Sequence, residues 1–261
     1  MSKKKKIIPL VLALILLFAV AVFTDPFPEE EEEDFGEVSA DFVCGEDYDD
    51  PRDGKSYSTV EVDDFCWFAE NLRYEGINSE IDRLDDRNDW EEAGRDRPAY
   101  AVYGNDSKSA SRYGNLYNWA AVEKVDLCPQ DWEVPKSADW HRLESFLAEE
   151  NCNRDRRGSF DCQPAGSKMK GVYDGPASAG WNGTFNCESD EIDCIGFEAL
   201  PTGSRYESGT YFGLGSRSYF WASGPAPLFY GLRDDRDGVL RNDTRPGMGM
   251  AVRCVLKMER D

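Results

Sequence analysis

The residues of this chain whose types and spacing could do chemistry are few. They are Gln163-Pro164-Ala165, Trp181-Asn182-Gly183 and the acidic turn Asp234-Asp235-Arg236-Asp237. Oxygen-rich groupings of this kind could hold calcium, because hard cations take carboxylate and carbonyl ligands. The two triplets each lack an acidic partner, so they read as turns in a long loop region. Asp234, Asp235 and Asp237 could gather a cation, and a solvated Asp-Gly hairpin turn explains them equally well. Asp49 and Asp53-Gly54 begin an EF-hand-like loop, but Pro51 occupies a ligand position and Val60 stands where the closing Glu belongs. His141 is the only histidine and falls in the first turn of an expected helix, exposed or locally hydrogen-bonded. With 51 acidic residues, no carboxylate pair for glycoside hydrolysis can be singled out. No Gly-x-Ser-x-Gly element or phosphate-cradling loop is present. The reading therefore assigns no catalytic residue, no metal ligand and no cofactor.

The aromatic residues are the remaining candidates. Trp181, Tyr206 and Tyr211 stand in loop-like, glycine-rich contexts and could face a ligand, since flat rings stack on sugars. Trp221 lies within a strand-like run and is expected in the core.

The elements that must position these groups fall into two textures. Tyr57 to Val62 alternates like a strand, and Cys66-Trp67-Phe68-Ala69 is a compact apolar cluster. Ile77 to Arg97 is dense in charge and reads as a surface insertion with at most a short helix. Tyr113, Leu116, Tyr117 and Ala120 have helix-like spacing and predict a first helix over Tyr113 to Val122. A second follows Pro135, capped by Ser137, with Asp139 in its first turn and Trp140, Leu143 and Leu147 on one face beside Phe146, ending at Asn151 and Cys152. After Gly158 the periodicity changes to short strands: Gly196 to Leu200, Tyr219 to Ser223, Leu228 to Arg233, Val239 to Arg241 and Met250 to Leu256. Two early helices and a late curled antiparallel sheet, closed by the N-terminal strand, give an α+β layout.

Eight cysteines, all after residue 43, admit many pairings. Spacing favours local staples at Cys152–Cys162 and Cys187–Cys194 and a bridge at Cys44–Cys66, which leaves Cys128 with Cys254. Zinc is the competing use, but there is no Cys-x2-Cys pair.

The chain opens with Lys3 to Lys6 and an apolar run from Ile7 to Phe23, the pattern of an export signal or N-terminal anchor. Ala19-Val20-Ala21 offers a cleavage pattern, and no cysteine near the run's end offers a lipid attachment point. Residues 24–43 read as a disordered acidic linker around Glu29 to Asp34, and residues 44–257 as one domain. Formal net charge is −21, which excludes the cationic stripe that phosphate backbones need. The expected location is outside the cytoplasm: periplasm, cell surface or secreted. The expected partner is a polysaccharide or cell-envelope component, not nucleic acid, with membrane contact only through the N-terminal segment.

Several blocks carry a resemblance. They are Asp53-Gly54-Lys55-Ser56-Tyr57 through Cys66-Trp67-Phe68-Ala69-Glu70-Asn71-Leu72, Tyr113-Gly114-Asn115-Leu116-Tyr117-Asn118-Trp119-Ala120-Ala121, and the Cys128-Pro129…Pro135…Trp140 block. Gly196-Phe197-Glu198-Ala199-Leu200-Pro201, Phe220-Trp221-Ala222-Ser223 and Val252-Arg253-Cys254-Val255 continue it in order. Together these resemble the Fibrobacter succinogenes major paralogous domain. The resemblance implies an extracytoplasmic, disulfide-bonded domain of no established activity. Val134 to Trp140 also resembles a segment of the C-type-lectin-like fold, the group that includes formylglycine-generating, sulfatase-modifying enzymes. That implies a C-type-lectin-like fold, and it makes Cys187 and Cys194 the pair in the correct half for such thiol chemistry. Paired cysteines in exported chains are structural far more often. The expected function is a non-catalytic binding or structural module. The alternatives are a formylglycine-generating type of enzyme and a purely structural envelope protein.

Overall fold

One strand joins the two halves of the interior. In the computed structural model, Phe65-Cys66-Trp67-Phe68 forms a strand with all four residues buried. Side chains alternate faces along a strand. Cys66 and Phe68 therefore enter one core cluster with Tyr57, Trp132 and Trp221, while Phe65 and Trp67 enter a second with Trp140, Phe197 and Tyr230. The structure describes residues 42–149, 151–172, 180–182 and 195–258. The export segment, nearly all of the linker and Cys187–Cys194 lie outside the described residues. Phe42, assigned above to the linker, packs edge-on against Tyr48 with ring centroids 5.4 Å apart.

In chain order the elements are β1 (Tyr48–Asp49), β2 (Ser56–Tyr57), β3 (Thr59–Val62), β4 (Phe65–Phe68), β5 (Asp82–Arg83), α1 (Arg87–Ala93) and β6 (Ala99–Ala101). Next come α2 (Ser107–Tyr113), β7 (Leu116–Tyr117), α3 (Trp119–Lys124), α4 (Ser137–Leu147), β8 (Ser159–Asp161) and α5 (Ala165–Met169). The chain closes with β9 (Thr202–Arg205), β10 (Tyr211–Leu214), β11 (Arg217–Ala222), β12 (Leu228–Arg233), β13 (Val239–Asp243) and β14 (Val255–Lys257). The largest sheet has six strands in the order β10-β9-β11-β12-β13-β8, antiparallel except where β9 meets β11. Two three-stranded sheets, β14-β4-β3 and β5-β6-β7, and the pair β1-β2 complete an α+β architecture.

The expected strand over Leu228 to Arg233 is β12, and Trp221 in β11 is fully buried. Tyr219 and Trp221 enter the first cluster and Phe220 and Ala222 the second, by the same alternation as in β4. Helix α4 starts where expected, but its cap differs. The Lys136 N–H donates to Asp139 Oδ2 at 2.8 Å, while the Ser137 hydroxyl sits 3.0 Å from the Tyr230 hydroxyl. Trp140 stacks on Tyr230 at 5.3 Å and 14°, so the predicted apolar face is the packed one. Phe146 lies 59 % exposed, and the helix ends at Leu147 rather than at Asn151.

The single helix expected over Tyr113 to Val122 is two helices with a strand between them. Gly114, at φ 74°, ends α2. Tyr117 then exchanges backbone hydrogen bonds with Met250 at 2.8 and 3.0 Å, and Asn118 caps α3 through Ala121 N–H at 3.1 Å. Long-range pairing overrides the local apolar spacing here. There are thus five short helices among the described residues, not two. The strand expected at Gly196 to Leu200 is only a bridge between Ala199 and Lys170. Met250 to Leu256 shortens to isolated bridges followed by β14. The N-terminal strand does not close the large sheet, because β3 pairs with β4 instead.

The charged stretch from Ile77 to Arg97 is mostly exposed and holds one short helix, as expected, but it is anchored in the core. It carries β5 and α1, whose Trp90 is 1 % exposed and donates its indole N–H to Gly247 O at 3.0 Å. Trp90, Ala93, Ala99, Ala101 and Leu84 make a third core cluster. One well-placed tryptophan anchors a segment whose composition alone reads as solvent-facing.

Three of the four expected bridges lie in the described residues: Cys44–Cys66, Cys128–Cys254 and Cys152–Cys162. All six described cysteines are paired. Cys128–Cys254 spans 126 residues and fixes the segment before α4 to the approach of β14.

Candidate functional cleft

A cleft of about 570 Å³ opens where the chain leaves β4 and meets α2. Ala69, Glu70, Asn71 and Arg73 form one wall and Lys108, Ser111 and Arg112 another. Val172, Glu198 and Leu200 form the far side, and Arg253 completes the lining. Lys108, Ser111 and Arg112 share a face because helix residues three and four apart are neighbours. The start of α2 is fixed by Asp106, whose side chain accepts the Lys108 N–H at 3.0 Å.

Close backbone approach holds the two walls together. Asn71 Nδ2 donates to Tyr113 O at 2.8 Å, and the Asn115 N–H donates to Leu72 O at 3.0 Å. A Cβ on Gly114 would lie 2.6 Å from Asn71 Cβ, so only glycine fits the junction.

Arg253 is the unusual member of the lining. Its side chain is 1 % exposed, packed over Phe197 at 4.5 Å. Nε donates to Asn71 Oδ1 at 2.6 Å, and Nη1 donates to Phe68 O at 2.8 Å and Phe197 O at 2.6 Å. Nη2 donates to Glu198 O at 3.1 Å. Every acceptor is a neutral oxygen. Burial lowers the guanidinium to about 9, against the weaker opposing pull of Glu70 and Glu198, so it stays charged at neutral pH. A buried charge without a contacting counter-ion costs several kcal/mol after relaxation, on the order of what a buried ion pair would offset.

The cleft's two carboxylates differ. Glu70 is engaged by the Ser58 hydroxyl at 3.2 Å and by the Arg73 guanidinium. Glu198 sits at φ 52°, pressed against Gly171, where a Cβ would fall 2.6 Å from Glu198 Oε2. Desolvation raises its carboxyl, opposed by the Arg253 charge and the Val172 N–H.

The aromatic candidates do not form a shared platform. Trp181 is 6 % exposed, its indole N–H donates to Ala199 O at 2.9 Å, and it belongs to the second core cluster. Burial therefore removes it as a ligand-facing ring. Tyr211 donates its hydroxyl to Asn105 Oδ1 at 2.6 Å and packs under the Arg205 guanidinium at 4.8 Å, against the third cluster. Tyr206 is 44 % exposed and stacks on Phe212 at 4.0 Å, so one of its faces is covered. Asp237 accepts the Ser167 hydroxyl at 2.9 Å and Asp235 pairs with Arg233 at 3.0 Å, within the turn joining β12 to β13. No group of three metal-ligating side chains that could hold an ion occurs among the described residues. His141 Nδ1 lies 3.1 Å from Glu144 Oε1, a contact within α4.

The cleft residues escaped the sequence reading. One signal was present: Arg253 interrupts the apolar run Ala251-Val252-Arg253-Cys254-Val255. A charge at an interior position needs a structural or binding reason.

A family model described as the Fibrobacter succinogenes major domain matches residues 60–256. The chain belongs to the Fibrobacter succinogenes major domain family. Every described residue lining the cleft falls inside the span that matches this family. No curated protein and no solved structure matches the chain.

Proposed function

We propose that this Fibrobacter succinogenes major domain is a non-catalytic binding module that works outside the cytoplasm and holds a polysaccharide or cell-envelope component in the cleft between β4 and α2. The observation that carries the reading is the cleft itself, an open cavity of about 570 Å³ with α2 along one wall and a buried guanidinium whose hydrogen-bond acceptors are all neutral. Small-ligand sites are concave and largely pre-formed, within roughly 300–1,000 Å³, with a few polar groups that fix the ligand's orientation. The three disulfides support an oxidising compartment, where such bonds form and persist. The export signal read from Lys3 to Phe23 agrees with that location.

The fold is read as C-type-lectin-like, supported by short helices beside a large, mainly antiparallel sheet and by the bridge that ties the approach of β14 to the middle of the chain. On that scaffold, binding through loop-built clefts needs no catalytic set. A formylglycine-generating chemistry would need reactive thiols; the six described cysteines are all in disulfides, and Cys187 and Cys194, the pair assigned to it above, lie outside the described residues.

The test is a glycan array and polysaccharide pull-down with the full chain. Saturable capture of a defined glycan supports the module. Capture of none, from an array covering neutral and acidic polymers, removes it and leaves a purely structural envelope role.

A further inference from the structure

We propose that the Cys44–Cys66 bridge is a load-bearing strap, which passes tension from the preceding chain directly into β4 and so to the wall of the cleft. This rests on the binding-module reading and adds the route by which a held ligand is tied to the chain ahead of the domain.

The bridged route is short. Cys44 follows Phe42 and Val43 and is half-buried, and its bridge reaches Cys66, fully buried within β4. Ala69, Glu70 and Asn71, just past the end of β4, line the cleft. The main-chain route between the two cysteines spans 22 residues and carries β1, β2 and β3.

That longer route resists tension poorly. The Phe42 ring packs against Tyr48 at 5.4 Å and Trp132 at 5.9 Å. Next, β1 and β2 pair only through Tyr48–Tyr57 and Asp49–Ser56, and a two-stranded hairpin is marginal on its own. Arg52 then holds the carbonyls of Asp126, Leu127 and Cys128, and Tyr57 stacks on Phe68 at 4.6 Å. Last comes β3, an edge strand of its sheet. Tension drawn along this stretch meets the holds in turn, so each bears the load alone.

β4 is loaded differently, because it lies between β3 and β14. Its residues pair with Thr59 to Val62 on one side and with Val255 to Lys257 on the other. Ladder hydrogen bonds run across antiparallel strands, so a pull along β4 strains both ladders at once. Past the cysteine, the Phe68 N–H donates to Cys254 O at 3.0 Å and the Leu72 N–H to Val252 O at 2.9 Å. Cys254 is itself bridged to Cys128. A pull arriving at Cys66 is thus shared by two ladders and a second bridge, while the main chain from 45 to 65 stays slack.

The experiment is single-molecule pulling of the full chain between its N-terminus and a handle at Ser111→azidophenylalanine, an exposed α2 position. Forced unfolding reports the barrier along the loaded route. Cys44→Ala/Cys66→Ala is expected to show an additional early extension, absent from the bridged chain, of about 70–80 Å. That is the 22-residue stretch drawn out at about 3.3–3.6 Å per residue. It is expected at less than about half the main unfolding force. A second chain keeps the bridge and carries a protease site inserted after Gly54, an exposed turn position with open space around it. Cutting there severs the main-chain route and is expected to leave the force trace unchanged. A double variant whose trace matches the bridged chain overturns the strap, and so does a cut chain that yields at lower force. If the double variant does not fold, the cut chain decides alone. No ligand is used, so these outcomes are read separately from the glycan array that tests the module.

Discussion

Arg253 Nε donates to Asn71 Oδ1 at 2.6 Å across 182 residues of sequence, and the same Asn71 donates to Tyr113 O at 2.8 Å. One amide thus joins the approach to β14, the exit of β4 and the end of α2. These are the three places that build the cleft, so its geometry and the stability of the fold share a hinge. Replacing Asn71 by Ala strips the acceptor from a buried charged donor and the donor from a buried carbonyl. A loss of about 1–3 kcal/mol is expected in denaturant unfolding, with weakened ligand capture. An unchanged midpoint would contradict the role of Asn71.

Removing the guanidinium altogether is expected to be more severe. Arg253→Met leaves the Phe68, Phe197 and Glu198 carbonyls and the Asn71 amide oxygen without their donor. The relief of a buried charge opposes this, but each unsatisfied buried group costs about 1–3 kcal/mol. Net destabilisation is therefore expected, read as a lower unfolding midpoint.

The disulfides should rank by the loops they close. Cys128–Cys254 closes a separation of 126 residues and Cys152–Cys162 one of 10. In the chain-entropy model the longer loop is worth about 4–5 kcal/mol and the shorter less than about 3 kcal/mol. The double variant Cys128→Ala/Cys254→Ala should therefore melt below Cys152→Ala/Cys162→Ala. The reverse order in parallel melts would count against the long bridge as the main staple.

Tyr206 separates the cleft from the aromatic alternative. Its ring is 44 % exposed and stacks on Phe212. Tyr206→Ala is expected to cost less than about 1.5 kcal/mol and to leave glycan capture unchanged. Loss of capture in a folded variant would move the site to the β9–β10 end.

Glu198 sets the expected pH response. Partial desolvation raises its carboxyl, with Arg253 and the Val172 N–H pulling the other way. The folded chain therefore holds this proton more tightly than the unfolded one. Its favourable contribution is fully present below the unfolded pKa and is lost as pH rises through the folded value. Glu198→Gln should flatten that part of the stability profile. Unfolding measured across the mildly acidic range checks the sign.

Much of this arrangement was legible in the amino-acid sequence, and the reasons for the rest are physical. Capped, periodic α4 and the apolar β12 are local features, and both stand where their patterns put them. The three described bridges followed from spacing and elimination. The break at Gly114 was obscured because Tyr117 pairs with Met250, a partner far along the chain. The third cluster was missed because a single buried Trp90 outweighs a dozen charged neighbours that need only point outward. Trp181 and Tyr206 look alike in sequence, in glycine-rich surroundings, and only packing separates the buried ring from the exposed one. The cleft was hidden for the same reason, since its lining residues come from segments remote in sequence and none is distinctive alone.

Filling the cleft tests the account most directly. Ser111 is exposed on the α2 wall, and Ser111→Trp would occupy the cavity without touching the core. Binding of a captured glycan to the full chain and to this variant should differ by at least about tenfold, with matching unfolding curves. Equal binding by a folded Ser111→Trp chain would show that the ligand is held elsewhere and would contradict the assignment of the cleft.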